Sequence, residues 1–170
     1  MSRFAVRALA AADWADLRAA RVAALVDSPD SFGGDPDAEA AWPRERWITS
    51  LHEASWAVID GADGALGLVG VRPAQDVDDC DCWISSWWVA PQVRGSGATE
   101  SLLDWVDALS HREGWHRQGL GVWVENTAAR KAFARLGFEQ DGADRPSRHF
   151  PGRRYVRMLR ALPGSGASGL

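Results

Sequence analysis

What most limits the fold of this chain is an abrupt change of periodicity. CWISSWWV (Cys82–Val89) has the composition of a strand, rich in branched and aromatic residues. From Gly97 to about Arg112 the apolar residues Leu102, Leu103, Val106 and Leu109 share one side of a helix. Only residues 90–96 separate the two, and Gly95 and Gly97 mark the junction. Where a strand hands over to a helix, the first helical N–H groups lack intrahelical partners. The helix dipole adds partial positive charge. A pyrophosphate suits such a place, and glycine lets its oxygens reach the amides. Arg94 adds charge at the rim. On these residues alone, a plain strand-to-helix turn with glycines explains as much.

The rest of the chain supplies the layers around that junction. FAVRAL (Phe4–Leu9) reads as a first strand. Asp13 to Val26 has helical spacing, with Asp13 as its cap. DSPDSFGGDPD (Asp27–Asp37) reads as a turn. Trp42 to Glu53 reads as a second helix with Pro43 near its first turn. SWAVID (Ser55–Asp60) and ALGLVGVRP (Ala65–Pro73) form a hairpin, and AQDVDDCD (Ala74–Asp81) is an acidic connector. LGVWV (Leu120–Val124), a helix from Thr127 to Leu136 capped by Asn126, FEQDG and RYVRML complete the order. That order implies an α/β domain over residues 1–162 with a mixed sheet. The tail 163–170 is expected to be disordered.

Several function classes are disfavoured. The net charge of −4 argues against a nucleic-acid binder. No apolar run approaches a membrane span and the N-terminus lacks a signal-peptide core, so a cytoplasmic location is expected. Cys80 and Cys82 have no second pair at zinc-site spacing; they read as two reduced thiols on one strand face. His52, His111, His116 and His149 are scattered, so no metal is expected. The turn matches neither G-x-x-x-x-G-K-[ST] nor G-x-G-x-x-G, since position 100 is Glu100. Arginine almost replaces lysine: Lys131 is the only lysine among 19 basic residues, which carries little function. The 10 tryptophans exceed what packing needs, so some are expected to line a ligand site.

Two motifs together carry a resemblance. Val89-Ala90-Pro91 followed by Gln92 to Gly97 has the form V-x-P then Q-x-x-G-x-G. Asn126, Ala129, Phe133 and Gly137-Phe138 follow N-x-x-A-x-x-x-Y-x-x-x-G-F at all positions but one. With these motifs the chain resembles the GNAT superfamily of N-acetyltransferases, and ALVDSPDSF and ERW look like a bacterial branch of it. The resemblance implies a single-domain fold with a mixed sheet of about six to seven strands and about four helices, splayed between the fourth and fifth strands. It implies acetyl-CoA as cosubstrate. Its pantetheine would lie in the gap between Cys82–Val89 and Leu120–Val124, pairing with strand backbone like an added strand. Backbone around Trp87, Trp88 and Val89 would hold pantetheine and polarise the thioester. Gln92, Val93, Arg94, Gly95, Ser96, Gly97, Ala98 and Thr99 would hold the pyrophosphate, and Asn126 and Phe133 would border the cofactor. Trp83, Phe32 and His149 would face the acceptor, with Trp14, Trp42, Trp47, Trp87 and Trp88 as further aromatic candidates. The arginines in RPSRHFPGRR (Arg145–Arg154) either bind an acceptor carboxylate or phosphate or are solvated surface.

Two positions depart from the family pattern. The tyrosine that serves the leaving thiolate is Phe133 here, and the only tyrosine is Tyr155 on the last strand. The glutamate that many members use as base is Trp83, with Ser85 on the same nominal face. Proximity and backbone N–H groups can still carry catalysis, with water relayed by Ser85, Ser86 or an acid from Asp78, Asp79 and Asp81. Three readings follow: an N-acetyltransferase for a small, aromatic or cationic amine such as an antibiotic; a protein N-terminal or lysine acetyltransferase; or a non-catalytic acyl-CoA-binding module. The resemblance leaves a homodimer open.

Overall fold

The computed structural model describes residues 3–75 and 79–164. Asp76 to Asp78 of the acidic connector and residues 165–170 of the tail lie outside them. The chain forms two compact units, one of Met1–Arg72 with Ser85–Val106 and the other of Pro73–Ile84 with Asp107–Leu170.

The first unit begins with β1 (Arg7–Ala8), shorter than the expected Phe4–Leu9 strand. The Phe4 amide bonds the Ser101 hydroxyl (3.1 Å) rather than joining a ladder. Helix α1 (Trp14–Asp27) follows a 3₁₀ turn at Ala11–Asp13. Asp13 does not cap α1 as expected: its carboxylate accepts from the Ala10 amide (2.8 Å) and so starts the 3₁₀ turn. A short helix α2 (Pro36–Ala40) stands in the stretch read as a turn. Asp35 accepts from the amides of Asp37 (2.9 Å) and Ala38 (3.0 Å), and Pro36 occupies the first helical position, where its missing N–H costs nothing. Helix α3 (Arg44–Glu53) comes next, then β2 (Ser55–Ile59) and β3 (Gly67–Pro73). β1 pairs antiparallel with β2 (Arg7 opposite Val58), and β2 pairs antiparallel with β3 (Ser55 opposite Val71).

One cluster holds this unit together. Leu17, Ala20 and Ala24 of α1 pack with Trp47 of α3, Val58, Leu68, Trp88 and Ala90. The spacing 17, 20, 24 puts one stripe of α1 inward, and the alanines let the helix approach closely. Burying each large side chain contributes about 1.5–3 kcal/mol.

Strand β4 (Cys82–Val89) begins in the second unit and ends in the first; helix α4 (Ala98–Glu113) begins in the first and ends in the second. In the second unit β4 runs parallel to β5 (Arg117–Trp123), with Cys82, Trp83 and Ile84 opposite Gln118, Gly119 and Leu120. β5 starts earlier than expected because Asp81 accepts from the amides of His116 (2.7 Å) and Arg117 (2.8 Å). Helix α5 (Thr127–Arg135) is followed by β6 (Glu139–Gln140), β7 (Arg145–Pro146) and β8 (Arg154–Ala161), all three strands antiparallel within this unit. The mixed α/β class holds. The described residues carry eight strands, three of them only two residues long, and five α-helices, α2 being a single short turn.

A buried polar network ties α4, β5 and β8. Arg160 grips Asp107 with two nitrogens (2.7 and 3.1 Å). Gln118, fully buried, donates to Asp107 (2.7 Å) and Ser110 (3.1 Å) and accepts from Arg160 (2.9 Å). Such a network rigidifies when its members are satisfied. Cys82 is buried beside Ser110, whereas Cys80 lies before β4 begins and is half-buried. The two thiols therefore do not share a strand face. Burial pushes the Cys82 thiol up to about 12, against the pull of the Ser110 hydroxyl.

Candidate active site

The end of β4 departs from simple alternation. Cys82 and Ile84 are buried, Ser85 is exposed, Ser86 and Trp87 are both half-buried, and Trp88 and Val89 are buried. Ser86 has φ +53°, the left-handed region, inside a strand. Trp88 is 6% exposed and belongs to the core, and its indole N–H donates to Asp27 (2.9 Å). Of the adjacent pair, only Trp87 keeps partial exposure.

After Val89 the chain turns under tight control. The Ala90 amide bonds Leu66 O (2.9 Å), and Pro91 opens a 3₁₀ turn closed by Val93 N–H to Ala90 O (3.1 Å). The Ser96 hydroxyl donates to Val93 O. Gly95 (φ +71°) and Gly97 (φ +97°) both take the left-handed conformation. A Cβ placed on Gly95 would meet no protein atom within 4 Å, so the turn is open on that side. Ser101, 1% exposed, locks the helix start: its hydroxyl donates to Gly97 O (2.9 Å) and accepts from the Phe4 amide. The amides of Ala98, Thr99 and Glu100 open α4, a helix long enough for its dipole to matter. This arrangement fits a pyrophosphate: open glycine backbone, first-turn amides and a fixed helix axis. Gln92 is exposed, while Val93 and Thr99 are half-buried along the same turn.

Arg94 is held rather than loose. It donates to Val89 O (3.0 Å) and to Asp27 Oδ2 (2.5 Å), with half its side chain exposed. Asp27 Oδ2 also accepts from Trp88 Nε1 and from the Ser28 hydroxyl (2.7 Å). Burial alone would raise the Asp27 pKa. The donors Trp88, Ser28 and Arg94 outweigh it and hold the carboxyl below its ordinary value.

The aromatic candidates of the first unit divide. Trp47 is 2% exposed and is core, which removes it as an acceptor wall; its ring meets that of Trp42 at a tilt (centroids 5.2 Å apart). Trp14, Trp42 and Phe32 are half-buried against that core. Phe32 lies beneath the Arg21 guanidinium (5.6 Å). In the second unit Trp83 lies along β5: a Cβ on Gly121 would stand 3.3 Å from its ring and 3.2 Å from the Tyr155 ring. A larger residue at 121 would crowd both rings by a few tenths of an ångström. Asn126 caps α5 by accepting from the Ala129 amide (3.1 Å). Phe133 is half-buried and meets Phe138 edge-on (5.9 Å). His149 is exposed on the loop before β8, its amide directed at the Ser147 hydroxyl.

Asp79 pairs with Arg117 (3.5 Å), and both Asp81 contacts above go to one carboxylate oxygen. Asp81 thus acts as a backbone cap, and Asp78 lies outside the described residues. Ser86 Oγ accepts from Arg21 (3.0 Å). The sequence reading missed Arg21, Glu39 and Asp27 as partners of the β4 end; they are distant in sequence and no motif marks them. It also missed Trp123, whose ring carries Arg153 at 3.9 Å and Phe150 at 5.7 Å.

The family model described as Acetyltransferase (GNAT) domain matches residues 3–139. Aminoglycoside N(6')-acetyltransferase type 1 of Stenotrophomonas maltophilia is 32% identical over 138 residues, 76% of this chain and 80% of that protein. The fold matches a GNAT-family acetyltransferase from Streptococcus pneumoniae with TM-score 0.74 at 16% identity, over 94% of this chain and 99% of that one. It also matches the ribosomal-protein-S18-alanine N-acetyltransferase of Escherichia coli with TM-score 0.65 at 13% identity, over 98% of each chain.

Proposed function

This chain belongs to the GNAT family of acetyltransferases, and from that membership we propose that it moves an acetyl group from acetyl-CoA to a primary amine of a small, cationic molecule. The observation that carries the acetyl-CoA half is the open Gly95–Gly97 turn at the start of α4. The acceptor half is supported by the 32% identity to an aminoglycoside acetyltransferase. The net charge of −4 is compatible with a cationic acceptor.

In this reading Gly95, Gly97, Ala98 and Thr99 present backbone amides to the pyrophosphate, whereas the Ser96 amide is engaged by Val93 O (3.3 Å). The thioester arm follows the backbone of Trp87 to Val89, whose N–H groups stabilise the oxyanion. The neutral amine attacks the carbonyl carbon, the C–S bond breaks, and the thiolate takes a proton. Phe133 has no proton to give and Trp83 accepts none, so water carries both protons. A leaving thiol of pKa ~8.5 tolerates that. Proximity and backbone stabilisation supply the main acceleration; side-chain acid–base help typically adds ~10²–10⁴-fold. Ser85, exposed on β4, relays water in this reading.

A second reading, acetylation of a protein N-terminal alanine, is favoured by the fold match to the ribosomal-protein enzyme. Release of free CoA thiol from acetyl-CoA, measured over a panel of aminoglycosides, arylalkylamines and alanine-started peptides, separates the two. Turnover confined to the peptides would reject the small-molecule reading. Failure to bind acetyl-CoA in calorimetry would reject both.

A further inference from the structure

Ser86 is an L-residue at φ +53° within the strand that carries the proposed thioester contacts. That conformation is unfavourable for a side chain bearing Cβ and persists only where its surroundings hold it. The surroundings are an ion pair from two other elements. Arg21 on α1 donates from Nη1 to Ser86 Oγ (3.0 Å). Its Nε and Nη2 grip the Glu39 carboxylate on α2 (2.9 and 3.1 Å). The pair is enclosed, with the side chains 17% and 8% exposed. Phe32 covers the guanidinium. A Cβ on Gly34 would stand 2.1 Å from Glu39 Oε1, so only glycine there lets the carboxylate seat.

An enclosed ion pair is a weak source of net stability, because desolvation offsets the attraction. Its planar two-pronged geometry is a strong source of direction. The direction here is spent on one hydroxyl, immediately before Trp87 to Val89. We infer that Arg21 and Glu39 are positioning residues: they clamp Ser86 in its left-handed conformation and so aim the Trp87–Val89 backbone at the thioester. The inference rests on the acetyl-transfer reading above. Glu39 is then no general base, since both its oxygens are engaged by Arg21.

The test separates the hydroxyl from the backbone conformation. Ser86→Ala keeps the Cβ penalty and removes the acceptor. Ser86→Gly removes both, because glycine enters the left-handed region freely. The expected result is that S86A lowers kcat roughly 5- to 30-fold, the factor that one or two kcal/mol commands. S86G loses distinctly less, with the KM for acetyl-CoA changing less than kcat in both. Arg21→Gln lowers kcat like S86A, and adding S86G to R21Q recovers part of the loss. A purely structural role would show no such rescue. Equal losses in S86A and S86G, or an R21Q/S86G double variant no better than R21Q, would overturn the clamp. If R21Q does not fold, the S86A–S86G comparison decides alone. Wild-type protein that releases no CoA with any amine would instead reject the transfer reading, and the clamp with it.

Discussion

Asp27 ends α1, where a carboxylate opposes the helix dipole. Its position makes sense through what it accepts: Trp88 Nε1 at 2.9 Å, Ser28 Oγ at 2.7 Å and Arg94 at 2.5 Å. Replacing Asp27 with Ala strands the indole N–H of Trp88, which is 6% exposed. An unsatisfied buried donor costs about 1–3 kcal/mol. The lost Arg94 pair adds ~0–1 kcal/mol, since half the arginine side chain is exposed. Removing the unfavourable dipole contact returns about 0.3–1 kcal/mol. The net loss is about 2 kcal/mol. For a domain of this size each kcal/mol moves Tm by ~2–4 °C, so Tm should fall by ~4–8 °C. Asp27→Asn keeps an acceptor for Trp88 and should lose under half as much.

The pH dependence follows from the lowered Asp27 pKa. A depressed carboxylate stabilises the fold above its unfolded value of about 3.9 and loses that contribution as pH falls through the folded value. The difference between wild type and D27N should therefore be flat through neutral pH and close in acid. Thermal denaturation followed by near-ultraviolet circular dichroism, from neutral pH down through the carboxylate range, measures all of this. Equal Tm values for D27A and D27N, or a D27A loss below about 0.5 kcal/mol, would refute the hub, because that is the level of an ordinary surface substitution.

Other outcomes follow from neighbouring features. Gly95→Ala meets no protein atom yet must adopt φ +71°, so stability should fall by about 1–2 kcal/mol while the KM for acetyl-CoA rises and that of the acceptor does not. Phe133→Tyr restores a proton donor at the position the family pattern assigns to one; kcat should rise by ~10²-fold, the lower end of the ~10²–10⁴ range of acid–base help, as read by the free-thiol assay. Cys82, buried and with its thiol pushed up to about 12, should resist alkylation in the native protein and react only on unfolding, as mass spectrometry of labelled peptides would show.

The parts of this chain that were legible in its sequence are those with local causes. The β4–turn–α4 junction is readable because a run of branched and aromatic residues meets a period of 3.6 across two glycines. Asn126 is readable as a cap because its partner is Ala129, three residues on. Helix α2 was hidden because Asp35-Pro36 signals a turn and a helix start equally. Asp13 was misassigned by one turn for the same reason: an aspartate before apolar periodicity does not say which amide it will accept from. The left-handed Ser86 had no signal at all. Glycine or asparagine announces such a conformation, whereas a serine held by Arg21 from residues 65 positions away does not. The Asp27–Trp88–Arg94 hub was hidden likewise, since its members meet only after α1 and β4 have packed. Trp47 shows the opposite limit: composition made it a ligand-wall candidate, and packing made it core.

We propose above that acetyl passes from acetyl-CoA to a small cationic amine. The most direct measurement incubates the purified chain with acetyl-CoA, an aminoglycoside and an alanine-started peptide in one mixture, and follows both products by mass spectrometry beside released CoA thiol. Transfer to the small amine would give an N-acetylated aminoglycoside formed in step with free CoA, with the peptide left unmodified. An acetylated peptide beside unmodified aminoglycoside, or no CoA release above the protein-free control, would contradict it.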